Sequence, residues 1–263
     1  MKSKIITLLT DFSAKDGFVG TMKGVILSIN PKVELVDLSH EVSRHNTLEA
    51  SVVLRTSYHF FPKGTIHLVV IDPEVGGSRR AILVETEKYF FIGPDNGALS
   101  FALENEKVKK VIELTNPQYF LRDISNTFHG RDIFAPVAAH LAKGVPVRKF
   151  GTPTKEYRRF TLLSPRIHRN GVSGKVIYID HFGNLVTNIS GGLAAKLAQK
   201  KMVISLKNFK IDKLSKTYTD SQPGQIIAVV GSNDCLEIAV NQGNASQILK
   251  AKEGAEVDIN MLK

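Results

Sequence analysis

Between Lys4 and Gly151, short apolar runs alternate with stretches whose apolar residues recur at helical spacing. Residues 5–9 and 33–38 predict strands, and between them Met22, Val25, Ile26 and Ile29 fall on one face of a helix stopped by Asn30-Pro31. Asn46 and Glu49 have the spacing of a capping box, which predicts a helix running towards Phe60. Residues 66–71 form a run that is apolar apart from His67, the pattern of a strand covered on both faces of a mostly parallel sheet. Further strands are expected at 81–85, 89–92 and 108–114, with a short helix over 98–104. Asp132 is placed to cap a helix that carries Ile133, Val137 and Leu141 on one face and ends at Gly144. Strands alternating with helices predict a layered α/β domain.

After a polar, proline-punctuated stretch the pattern changes. Short strands at 173–179, 185–189, 202–206, 225–230, 235–240 and 255–259 are separated by Gly, Asn and Asp turns, and only 193–199 looks helical. That spacing predicts a small antiparallel barrel or sandwich. The expected organisation is an N-terminal domain over 1–152, a linker over 153–165 and a C-terminal domain over 166–263.

Composition narrows the class. The chain has 263 residues, 43% hydrophobic and 23% charged, which excludes disordered, collagen-like and coiled-coil proteins. Its one cysteine, Cys235, excludes an intramolecular disulfide and a cysteine-based zinc site. No apolar run approaches the ~20 residues of a membrane-spanning helix. The first apolar run breaks at Thr10-Asp11 without a small-residue cleavage site, so it reads as a strand rather than a signal sequence. The net charge of +10 raises nucleic acid as a partner. The basic residues are scattered as pairs such as Arg79-Arg80, Lys109-Lys110, Arg158-Arg159 and Lys200-Lys201, which describes a solvated surface instead. The expectation is a cytoplasmic protein with neither nucleic acid nor membrane as a partner.

In an open α/β sheet, ligands bind beyond the carboxyl ends of the strands. Asp11 and Asp72 stand at two such ends, each before a flexible loop. Neither GxGxxG nor GxxxxGK[ST] follows the first strand, so a strand-end Asp suits the two hydroxyls of a ribose better than a dinucleotide phosphate. Gly93-Pro94-Asp95-Asn96-Gly97 is a turn, and Thr127-Phe128-His129-Gly130-Arg131-Asp132 places a histidine just before a helix. Asp180-His181-Phe182-Gly183-Asn184 gathers an acid, an aromatic ring and an amide. Gly231-Ser232-Asn233-Asp234 and Asn241-Gln242-Gly243-Asn244 bracket a strand with amide side chains that suit a purine edge or an amino-acid head group. No metal-ligand spacing and no GxSxG elbow occurs, so no metal site is expected.

Taken in order, these segments closely resemble the S-adenosylmethionine hydroxide adenosyltransferases, relatives of the fluorinating and chlorinating enzymes that attack the same substrate. Leu9-Thr10-Asp11-Phe12, Ile71-Asp72-Pro73 with Gly76 and Arg79-Arg80, Phe128-His129-Gly130-Arg131-Asp132 and Leu236-Glu237-Ile238-Ala239-Val240-Asn241 carry the match with those above, over nearly the whole chain. The resemblance implies a Rossmann-like α/β domain followed by a smaller C-terminal antiparallel β-barrel. It implies a homotrimer with active sites between subunits, and hydrolysis of S-adenosylmethionine to adenosine and L-methionine without a cofactor. Family matching puts Asp72, Arg79 and His129 in a nucleophile-activating triad, Asp11 on the ribose hydroxyls and Asp180 on the methionine ammonium. Ser232 matches a methionine contact, Phe182 and Tyr218 flank adenine, and Asn184 contacts adenine or ribose; Asn241 and Gln242 complete the expected substrate-binding set. Where the halogenating relatives carry arginine after the matched serine this chain has Asn233, and their bulky aromatic in the second loop is His45 here.

The chemistry agrees with the match. Displacement at a sulfonium carbon needs no acid, because the leaving thioether is neutral; it needs an aligned, desolvated nucleophile ~3–3.5 Å from the carbon. Arg79 can stabilise developing negative charge, His129 can accept a proton and Asp72 can orient both. A halide needs no deprotonation and the halogenating relatives lack this triad, so its presence favours water. The alternatives are a halogenase of the same family and an adenosine-binding protein without turnover.

Overall fold

In the computed structural model, which describes residues 4–160 and 164–262, the apolar run that begins at Ile66 is an interior strand of a seven-stranded sheet. The chain divides into two compact units, Met1–Phe160 and Thr161–Lys263. In the first, β1 (Ile5–Thr10), β2 (Glu34–Ser39), β3 (Ile66–Val70), β4 (Ala81–Thr86), β5 (Phe90–Pro94), β6 (Val108–Leu114) and β7 (Gly151–Thr154) take the order β2-β1-β3-β5-β4-β6-β7. The β1–β2, β1–β3 and β3–β5 pairs are parallel, whereas β4, β6 and β7 add antiparallel.

Both faces of this sheet are covered, which is why β3 is apolar apart from the buried His67. Ile6, Leu8, Leu68 and Val70 pack with Met22 and Ile26 of α1 (Phe18–Ile29) and with Val137 and Leu141 of a later helix (Ala135–Ala142). Leu9, Val69 and Ile71 point the other way, onto Leu54 of α2 (Thr47–Ser57) and Leu103 of α3 (Ser100–Glu104); the later helix is α4. Each such aliphatic side chain contributes about 1.5–3 kcal/mol when fully buried. Asn46 caps α2 by accepting from the Glu49 amide, but the Glu49 carboxylate accepts from Ser43 instead of closing the box.

Asp132 does not cap α4. It lies inside a π-helical turn, Gly130–Phe134, that runs directly into α4, and its fully buried carboxylate accepts from the Ser125 amide at 2.8 Å. Of the stretch expected as a linker, residues 161–163 lie outside the described residues, and the part before them is tied to the first unit. Thr154 belongs to β7, the Arg158 amide donates to Asp95 Oδ1 at 2.7 Å, and the Phe160 amide donates to Ser100 Oγ at 2.8 Å.

The second unit holds β8 (Arg166–His168), β9 (Gly171–Ile179), β10 (Leu185–Ser190), α5 (Gly191–Leu197), β11 (Met202–Leu206), β12 (Phe209–Ile211), β13 (Ile226–Val230), β14 (Cys235–Val240), α6 (Ala245–Ile248) and β15 (Glu256–Met261). Its strands pair antiparallel along the path β12-β11-β15-β9-β10-β14-β13, with β8 beside β9. Beyond β12 the chain returns to β13, where the Ser215 amide donates to the Ala228 carbonyl at 2.8 Å. The two ends of the path thus nearly meet, and the sheet is barrel-like around Val172, Leu185, Ile204, Leu236, Ile238 and Val257. Among the described residues, no helix is long and apolar enough to cross a membrane.

Candidate functional site

The carboxyl edge of the first sheet gathers the expected charged groups. Asp72 lies two residues beyond β3 and Arg79 two residues before β4; the guanidinium donates to Asp72 from Nε at 2.8 Å and from Nη2 at 2.5 Å. Arg79 Nη2 also donates to His129 Nδ1 at 2.7 Å. Two local features bring these segments together. Gly76 has φ 77°, and a Cβ there would lie 2.2 Å from the Asn126 carbonyl oxygen, so only glycine lets the 73–78 loop rest on the chain just before His129. Asp132, through the Ser125 amide, fixes the segment on which that loop rests.

An arginine has no acceptor, so His129 Nδ1 must be the acceptor in this contact and the neutral ring carries its proton on Nε2. Burial, and then the Arg79 charge, hold His129 below the ordinary histidine range despite the carboxylates of Asp72 and Asp132. The ring is therefore neutral at physiological pH.

Asp11 follows β1, and its Oδ2 accepts from the His45 amide at 2.9 Å. His45 has φ 65°, and its contribution among these contacts is its backbone N–H. The turn 93–97 plays a supporting part. Asn96 is buried, donates from Nδ2 to the Ile71 carbonyl at 2.7 Å, and so clamps the peptide that leads into Asp72. Asp95 is paired with Arg80 at 2.6 Å.

In the second unit, Asp180, Phe182, Asn184, Tyr218, Ser232 and Gln242 line a single cavity of about 590 Å³ together with Glu237, Val240 and Gly243. That volume suits a drug-sized organic molecule. Asp180 organises its own turn: Oδ1 accepts from the Phe182 and Asn184 amides at 2.9 and 2.8 Å, and Oδ2 from Asn184 Nδ2 at 2.9 Å. Phe182 is 73% exposed at the cavity wall. Tyr218 starts a 3-10 turn, and its hydroxyl donates to Glu237 Oε2 at 3.0 Å. Burial, and then the Glu237 charge, push that hydroxyl up to about 12, so it remains a donor. Asn241 does not line the cavity; its side-chain amide is spent on the Ser221 carbonyl at 2.7 Å.

Glu237 is the residue that sequence reasoning missed. It stands in the middle of a buried strand, and its place in the cavity wall and its bond from Tyr218, distant in sequence, show its orientation. Among the described residues, no group of three or more His, Cys, Asp or Glu is arranged to hold a metal ion.

Comparison with known proteins places these two sets of residues in two matched regions. Residues 6–151 match the model of the SAM hydroxide adenosyltransferase N-terminal domain, and residues 174–258 match that of the SAM hydroxide adenosyltransferase C-terminal domain. A protein of Salinispora tropica named (R)-S-adenosyl-L-methionine hydrolase is 34% identical, with 95% of each chain covered. One of the same name from Methanocaldococcus jannaschii is 33% identical over 97% of this chain and 95% of its own. A crystal structure of an uncharacterised conserved protein from Thermotoga maritima is similar, with a TM-score of 0.91 and 39% identity, over 97% of this chain and 99% of that one.

Proposed function

The chain belongs to the SAM hydroxide adenosyltransferase family, and we propose that it hydrolyses S-adenosyl-L-methionine to adenosine and L-methionine. The observation that carries this reading is the hydrogen-bonded array of Asp72, Arg79 and His129 at the carboxyl edge of the first sheet. A water lone pair attacks C5′ of the ribose, the C5′–S bond breaks with its electrons passing to sulfur, and the sulfonium leaves as the neutral thioether of methionine. The water releases one proton. Since the leaving group needs no acid, catalysis falls on the nucleophile.

Arg79 stabilises hydroxide character on the water as it develops. Asp72 holds the guanidinium bidentately, and each of its oxygens keeps a lone pair that can receive the water's proton. His129 accepts from Arg79 and braces it from the side. Its neutral ring already carries a proton on Nε2, so it takes one from water only if Nδ1 releases Arg79.

Asp11 receives the ribose hydroxyls. In the C-terminal cavity, Asp180 takes the methionine ammonium, Phe182 and Tyr218 flank adenine, and Asn184, Ser232 and Gln242 supply polar contacts. Water and substrate suffice for the reaction as written, so no cofactor takes part. The nucleophile-activating array and the nucleoside cavity belong to different units of the chain, and the assembly proposed here is a homotrimer with active sites between subunits. The protein works in the cytoplasm, with neither nucleic acid nor membrane as a partner.

Incubation of the purified protein with S-adenosylmethionine, with and without chloride or fluoride, tests this. Adenosine and methionine in equal amounts, unaffected by halide, are expected. A 5′-halogenated nucleoside, or binding without turnover, would overturn the reading.

A further inference from the structure

Glu237 is an unusual group for a barrel strand. It is 6% exposed, it pairs with Val186 on one side and Val229 on the other, and it lines the C-terminal cavity. The chain builds a cradle for its carboxylate. Tyr218 donates to Oε2, and the Asn233 side chain, whose Oδ1 is occupied by the Cys235 amide, bonds it as well. A Cβ at position 231 would lie 1.9 Å from Oε1, so Gly231 leaves the space. Burial pushes this carboxyl above its usual range, against the pull of Tyr218, and the charge of Asp180 adds to the rise.

A buried carboxylate is costly unless a cation meets it. Among the described residues none does: the cavity lining has two acids and no Lys, Arg or His, and no ion pair involves Asp180 or Glu237. Two neighbouring carboxylates in a protein of net charge +10, facing a cavity without a counter-ion, suit a cationic ligand. We propose that Glu237 selects ligand charge: with Asp180 it makes this cavity favour a molecule bearing net positive charge. This rests on the reading of the cavity as part of a site for S-adenosylmethionine. That substrate carries one net positive charge, whereas adenosine and zwitterionic methionine carry none. The sulfonium charge disappears in the reaction, so the same carboxylates that hold the substrate let the products go.

The test compares two unreactive ligands by titration calorimetry. Sinefungin carries an ammonium where the substrate has its sulfonium; S-adenosylhomocysteine has a neutral thioether there and is otherwise nearly identical. The wild-type protein is expected to bind sinefungin more tightly. Glu237→Gln should lower that preference on the order of tenfold, by weakening sinefungin while leaving the neutral ligand nearly unchanged. Tyr218→Phe should weaken both ligands alike and keep the preference. Asn233→Arg, which sets a guanidinium against Glu237 without removing it, should lower the preference as Glu237→Gln does, and it serves if the latter fails to fold. Its effect on the ligand carboxylate cancels in the ratio, because both ligands have one. If the preference is unchanged in these charge variants, or if Glu237→Gln weakens both ligands equally, Glu237 only supports Tyr218 and the proposal fails. If the wild-type protein binds neither ligand, the proposed substrate itself is wrong.

Discussion

Asp72 and Arg79 face each other through two parallel hydrogen bonds, and their side chains are only 5% and 3% exposed. A pair so dry has one orientation, and removing either partner strands the other charge. Asp72→Ala and Arg79→Ala should therefore each lower kcat by about a hundredfold or more with a smaller effect on KM. Because the two act as a unit, the double variant should be little worse than the poorer single one. Steady-state kinetics of the three variants checks this; losses that multiply would show two independent contributions.

The direction of the Arg79–His129 bond makes a separate prediction. If His129 serves chiefly as the acceptor that braces Arg79, a carbonyl oxygen in the place of Nδ1 should do part of the same work. His129→Asn should then retain at least about tenfold more activity than His129→Ala. Equal and nearly complete loss in both would mean that the imidazole itself moves the proton.

Asn96 acts on Asp72 through the backbone. Asn96→Ala frees the Ile71 carbonyl, which Nδ2 holds at 2.7 Å, and leaves the Ala98 amide without its side-chain acceptor. A stability loss of about 1–3 kcal/mol is expected, with kcat falling more than KM rises, since Asp72 is proposed to act on water and not on the adenosyl group. Denaturant titration and kinetics on one preparation read both; a change confined to stability would deny Asn96 its positioning role.

Acid sensitivity should trace to His67, which is fully buried among Tyr58, Tyr89 and Phe91 with Nδ1 against Thr7 Oγ1 at 2.8 Å. Burial pushes its pKa down to about 3 from an ordinary 6.5. The unfolded chain takes up this proton before the folded one does. Stability from the neutral ring is thus complete above the ordinary value and is lost as pH falls from there towards 3, by about 1.4 kcal/mol per pH unit. Denaturation curves between neutral and mildly acidic pH should show this slope in the wild type and lack it in His67→Phe; the same slope in both would assign the acid sensitivity elsewhere.

Much of this was legible along the chain because two apolar runs stop abruptly at acids. Asp11 and Asp72 are visible as strand-end residues once 5–9 and 66–71 read as strands, and burial on both faces of β3 explains its mostly apolar run. The strands β7, β8 and β12 were not legible, since they are three or four residues long and exist through pairing with distant partners. The π-helical turn at Gly130–Phe134 was hidden for a related reason: Asp132 has the chemistry of a cap, and its bond to Ser125 decides otherwise. Glu237 was hidden by Leu236 and Ile238, which make its segment read as plain strand, while Asn241, conspicuous in an amide-rich turn, is spent on Ser221.

The attack of water on C5′ is tested most directly by turnover in water enriched in the heavy oxygen isotope, with mass analysis of both products. The account predicts one heavy oxygen in adenosine, at the 5′ position, and none in methionine. Adenosine formed without the label would contradict it, because the oxygen would then come from somewhere other than the water that Asp72, Arg79 and His129 are proposed to activate.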